Sequence, residues 1–193
     1  MTGSHATTMK FWIFLFIALH CSPFCTADGL EKMYYVGEAK MSGPGGEPRG
    51  SQAFLLEKTH DPERNFIIER AIVVKPDRTV EEHIMTMVVK GNDFTISDAR
   101  KSVQGAGQLF GKPWEWSYFK AVYQSTNGAR IEDENFMADR DVLVARKRIS
   151  APNGTVVAYM DITLKEMTPA TFRILSECLL KPIAVSTNLP NAK

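Results

Sequence analysis

Residues 141–166 read DVLVARKRISAPNGTVVAYMDITLKE, two alternating runs joined by Pro152-Asn153-Gly154. Val, Ile, Tyr and Thr at period two describe strands with one face turned to a core. We read these strands over 140–149 and 154–166. Asn153-Gly154 favours a two-residue hairpin, because both positions tolerate positive φ. So short a link joins antiparallel neighbours and leaves no room for the crossover helix of a parallel pair.

The same rhythm runs back through the chain. Further strands are expected near 33–41, 52–60, 64–74, 79–90, 92–99, 103–110, 113–124 and 129–137. Between them stand Asp61-Pro62-Glu63, Lys75-Pro76-Asp77-Arg78, Lys90-Gly91-Asn92 and a second Asn-Gly at 127–128. A run of sequential strands without a long crossover is a meander. A long meander exposes two edges unless it closes on itself. The expected fold is therefore all-β: an antiparallel up-and-down meander closing into a barrel of about 8–10 strands. A two-sheet sandwich is the alternative.

One segment departs from the β pattern. Thr168 is placed to cap a helix and Pro169 to open it. Phe172, Leu175, Cys178 and Leu179 share one face at helical spacing, and Pro182 stops the run. A helix over 169–180 packed outside the sheet is expected, followed by a disordered tail at 182–193. The stretch SGPGGEPRG at 42–50 reads as a long mobile loop or a flap at a barrel mouth.

The N-terminal residues read as a targeting segment. Lys10 precedes the apolar run Phe11–Leu19, and Cys25 and Ala27 sit three and one residues before a cleavage at Asp28. That is the grammar of a secretory signal peptide over 1–27, with Met9 as the natural start. The run is too short for a stable transmembrane span, which takes about 20 residues. Cleavage removes Lys10 from the 23 basic residues and none of the 22 acidic ones, leaving a neutral chain. A neutral chain lacks the concentrated basic surface of a nucleic-acid footprint. Of the three cysteines only Cys178 remains, so the single domain 28–181 is held by its core and not by an internal disulfide. With 44% hydrophobic and 23% charged residues, its composition is that of an ordinary globular domain.

The signal segment, the meander, the loop after the first strand and the helix after the last strand resemble the lipocalin and calycin-like secreted β-barrels. The resemblance is architectural and covers most of the chain. It implies a small apolar ligand held inside the barrel. Ten strands are similar in number to the fatty-acid-binding and nitrobindin-like barrels.

No catalytic motif stands out. Gly105-x-Gly107-x-x-x-Gly111 lacks the dinucleotide spacing and runs into a strand, so close packing explains it. There is no Gly-x-Ser-x-Gly elbow. His60 and His83 are the only histidines after residue 28, too few for a multi-histidine metal site. No metal and no cofactor are expected. Asn153-Gly154-Thr155 matches a glycosylation acceptor, although the turn already accounts for Asn-Gly.

The candidate ligand-binding residues are polar or amphipathic groups on apolar faces: Arg70, Trp114, Trp116, Tyr118 and Asp133. Arg70 shares a strand face with Phe66, Ile68, Ile72 and Val74. Asp133 shares one with Ile131, Asn135 and Met137. A buried charge needs a partner, so these two pair with each other, pair with neighbours, or await a ligand's carboxylate. Trp114, Trp116 and Tyr118 fall on one side of their strand and Phe119 and Tyr123 on the other. We expect the tryptophan side to face inward, lining a cavity or filling a core. The expectation that follows is a secreted or periplasmic barrel binding a small apolar or amphipathic molecule without transforming it. The alternative is an envelope or extracellular module with a filled barrel that contacts a protein partner.

Overall fold

The computed structural model describes residues 24–25, 29–110 and 118–180. Most of the expected signal segment, Trp114, Trp116 and the expected tail lie outside them.

A short β1 (Phe24–Cys25) lies within the expected signal segment, and the ten alternating runs form β2 (Glu31–Ser42), β3 (Pro48–Asp61), β4 (Phe66–Val74), β5 (Val80–Lys90), β6 (Asp93–Asp98), β7 (Gln104–Phe110), β8 (Tyr118–Gln124), β9 (Arg130–Asp139), β10 (Val142–Ser150) and β11 (Val156–Glu166). Strands β2 to β11 pair with their sequence neighbours, and β2 pairs with both β3 and β11. The sheet is thus a closed ten-strand antiparallel barrel, with the short β1 added beside the start of β2. Closure gives the strands of the meander partners on both sides, which is the physical advantage of a barrel over an open sheet.

Four turns at one end share a single plan. In Gly43–Glu47, Lys75–Thr79, Ser125–Ala129 and Ala151–Thr155, the first N–H donates to the last carbonyl and the fourth N–H to the first carbonyl. These are three-residue loops, not the two-residue hairpins expected from Asn-Gly. The residue before the last stands at positive φ: Gly46, Arg78, Gly128 and Gly154. In the two Asn-Gly turns only the glycine takes that conformation, while the Asn side chain accepts from the N–H two residues on. The stretch 42–50 is also corrected. Strands β2 and β3 extend to Ser42 and Pro48 and leave a short turn. Glu47 braces that turn by accepting from Gly45 N at 3.1 Å and from Arg49, whose Nη1 also donates to Val157 O at 2.9 Å.

Residues paired across a sheet share a face. Two buried clusters therefore define the inside. One gathers Tyr35, Ala39, Leu56, Ala71, Leu143, Ala145, Ile162 and Leu164; the other gathers Ile67, Met87, Phe94, Ile96, Leu109, Phe119, Ala121 and Tyr123. Gly107 lets Phe94 lie against the wall, since a Cβ there would fall 2.4 Å from its ring.

Helix α1 (Pro169–Leu180) covers the outside of β2–β5. Thr168 caps it, with Oγ1 accepting from Thr171 N at 3.2 Å. Phe172 is buried on Leu55 and Ile72, and its ring centroid lies 4.9 Å from that of Tyr34. Full burial of one such ring is worth about 1.5–3 kcal/mol. Leu175 and Leu179 join this layer as expected, but Cys178 is exposed. Ser176 is buried instead, its hydroxyl returning a hydrogen bond to Arg173 O.

Candidate functional site

The inner wall carries charge in two places. On β9 and β10, Asp133 and Lys147 are direct cross-strand partners, and Lys147 Nζ lies 2.5 Å from Asp133 Oδ2. Asn135 Nδ2 donates to the other carboxylate oxygen at 2.7 Å. Tyr123, on β8, receives a hydrogen bond from Lys147 at 3.0 Å and donates to Asp133 at 3.4 Å. On the β3–β4 wall, Lys58 and Glu69 are cross-strand partners 2.9 Å apart. Lys58 reaches across the barrel, with Nζ 5.3 Å from the centre of the Phe119 ring. Lower on that wall, His60 Nδ1 sits 3.0 Å from Glu31 Oε2.

Sterics explain why β8–β10 can hold such a group. Ala121 stands across from Asp133, and Ala145 across from Asn135, so small side chains flank the polar ones. Burial opposes the Lys147 ammonium, but the Asp133 carboxylate and Tyr123 outweigh it and hold its pKa above the usual ammonium range. Burial pushes the Tyr123 hydroxyl up, with Lys147 acting against that shift and Asp133 adding to it. At neutral pH Lys147 is therefore an ammonium and Tyr123 a neutral phenol.

Toward the end bearing the four similar turns, the inward face carries the polar Gln52, Glu81 and His83 beside apolar side chains that are only half-buried. The latter include Met41, Phe54, Ile149 and Met160. Solvent thus reaches an apolar, methionine-rich inner surface, with the Lys147 group one step below Ile149.

The structure separates the expected site residues. Asp133 faces inward, as its apolar strand face implied. Arg70 does not: with Ile72 it lies on the outer face, beside the helix. There its Nε is 2.5 Å from Glu82 and Nη1 3.5 Å from Glu57, which also pairs with Lys32. Arg70 is thus paired with neighbours and not with Asp133. Tyr118 also points outward, where its hydroxyl bonds Glu134 and its ring stacks on Phe110, centroids 4.8 Å apart. Phe119 and Tyr123 carry the inward face of β8, the reverse of the expected orientation.

Lys147, Tyr123, Lys58 and Glu69 were missed. Lys147 had a readable signal, the alternation Leu143, Ala145, Lys147, Ile149, but Arg146 and Arg148 hide it in a basic triplet. Among the described residues, no group of three or more His, Cys, Asp or Glu side chains is placed to hold a metal ion. No described helix is long and apolar enough to cross a membrane.

These features define a closed ten-strand antiparallel barrel with one helix packed on its outside. No protein-family model and no curated protein matches the chain. Among solved structures it is similar to a protein of unknown function from the DUF3598 family of Nostoc punctiforme, with TM-score 0.51 and 12% identity. That match covers 69% of this chain and 46% of the other, so the chain spans about half of that protein's length. A looser likeness is to the S-type phycobiliprotein lyase of Guillardia theta, with TM-score 0.49 and 10% identity over 70% of this chain and 87% of that one. At 12% identity the likeness to the Nostoc protein is one of fold alone.

Proposed function

We propose that the protein is a secreted or periplasmic calycin-like barrel that binds a small apolar or amphipathic molecule without transforming it. The observation that carries this reading is the accessible apolar inner surface at Met41, Phe54, Ile149 and Met160, set above a buried polar group. An apolar wall with a few convergent polar groups is the usual construction of a small-molecule site. Export rests on the segment Lys10–Ala27. N-terminal sequencing of exported protein should begin at Asp28; an intact N-terminus would remove that part of the proposal.

The binding test is a titration of the full chain with N-phenyl-1-naphthylamine, a neutral apolar dye. Dye emission should rise saturably, and Met160→Arg, which places a charge on the inner wall, should abolish the rise. A rise that does not saturate, or no rise, would overturn the ligand reading.

A second reading draws on the outer wall. Val88, Thr95, Ala106 and Val122 form a cross-strand row over β5–β8, with Val88 52% and Val122 39% exposed. Lys90, Asp93 and Gln108 border the same groove, of about 570 Å³. Such a face suits the alternative of an envelope or extracellular interaction module. Val88→Glu should leave dye binding unchanged if the two surfaces are independent.

A further inference from the structure

We infer that Tyr123, Asp133, Asn135 and Lys147 form the head-group site of the bound molecule, and that this site takes a neutral hydrogen-bonding head such as an amide or a hydroxyl. The inference rests on the ligand-binding reading above and assigns its chemistry.

Charge balance is the first argument. The ammonium of Lys147 already faces the Asp133 carboxylate, and that of Lys58 already faces Glu69. At the turn end Glu81 faces Lys75. Among the described residues, no inward lysine is left without an anion. Beside these pairs a carboxylate ligand would add an uncompensated negative charge, and an ammonium ligand a positive one. Burying an uncompensated charge is far costlier than burying a hydrogen-bonded neutral group.

Hydrogen-bonding capacity is the second argument. An ammonium has three N–H donors. Lys147 spends one on Asp133 and one on Tyr123, which leaves one. Asn135 is 8% exposed and gives one N–H to Asp133. Its Oδ1 accepts no hydrogen bond from the described residues, although a side-chain amide oxygen offers two lone pairs. Buried polar groups ordinarily find partners, so an inward-facing amide oxygen with none points to a ligand atom. One donor and one acceptor gathered on a single carboxylate match an amide, which supplies C=O to Lys147 and N–H to Asn135. A hydroxyl serves both roles with one oxygen. Ala121 and Ala145 keep the flanking wall low enough for such a head to approach.

The inference fixes an order of preference among molecules sharing one tail. The probes are decanamide, 1-decanol, decanoate and decylamine, each competing with N-phenyl-1-naphthylamine on the full chain at neutral pH. Decanamide and 1-decanol should displace the dye at concentrations about tenfold lower than decanoate or decylamine, the size expected of one or two buried hydrogen bonds. Asn135→Ala should erase most of the decanamide advantage over decanoate. Asp133→Asn, which leaves Lys147 without its anion, should turn the preference toward decanoate. Equal displacement by all four, or a decanoate preference in the unaltered protein, overturns this inference and leaves the ligand reading standing. So does an Asn135→Ala protein that keeps the full decanamide advantage. Absence of saturable dye binding overturns both.

Discussion

Replacing Lys147 with Met keeps the apolar stem and deletes the ammonium. Asp133, with a side chain 7% exposed, then keeps only Asn135 and Tyr123 as partners. Removing one member of a buried ion pair strands the other's charge and costs about 3–5 kcal/mol. Removing both members is different. Lys147→Met with Asp133→Leu takes away the pair and its desolvation penalty together, so the double variant should be more stable than Lys147→Met alone. The coupling between the two positions should reach at least about 2 kcal/mol, well outside the additivity seen for independent sites. Arg70→Met is the control: its guanidinium faces two carboxylates, but on the outside, with a side chain 31% exposed. Exposed pairs are worth about 0–1 kcal/mol, and that loss is expected here. Guanidinium unfolding followed by far-ultraviolet circular dichroism measures the unaltered protein, Lys147→Met, Asp133→Leu, the double variant and Arg70→Met, provided the m-values agree. A Lys147→Met cost below about 1 kcal/mol, or single costs that simply add, would refute a buried, desolvated pair.

Two further predictions concern backbone and pH. Arg78 stands at φ 69°, in the seat that Gly46, Gly128 and Gly154 fill in the sister turns. Arg78→Gly should raise stability by about 0.5–1 kcal/mol, the left-handed penalty of roughly 1–2 kcal/mol less the added chain entropy of glycine, read as a higher denaturation midpoint. Glu166 has its carboxyl pKa raised above 4.5, by burial first and by the neighbouring Asp141 second. Its protonated form is thus favoured on folding, and the associated stability is lost as pH rises through the raised value. Glu166→Gln should therefore raise Tm more at pH 7 than at pH 4, and an equal gain at both would show that the raised pKa is wrong.

Much of the architecture was legible because hydrogen-bonding geometry is local. Each of the ten expected runs overlaps one strand of the barrel. The helix bounds follow from Thr168, Pro169 and the apolar spacing. The turn loops were placed correctly, yet their length was misjudged. Asn-Gly serves a two-residue loop with two positive φ values as readily as a three-residue loop with one. Closure was inferred from the cost of two open edges, and it holds.

Which face turns inward was not legible, and the candidate site depended on it. On β4 the even face, Phe66, Ile68 and Ile72, is as apolar as the odd face, Ile67, Ala71 and Val73. The even face is apolar because helix α1, from far along the chain, lies over its Ile72. On β8 the outward Tyr118 and Val122 likewise imitate a core face. Alternation thus determined that these segments are strands and that each has two distinct faces. Only the closed barrel, with its helix on one side, decided that Asp133 is buried with Lys147 while Arg70 remains outside. Burial is set by what packs against a residue from elsewhere in the chain, and a strand's own sequence carries no record of its distant neighbours.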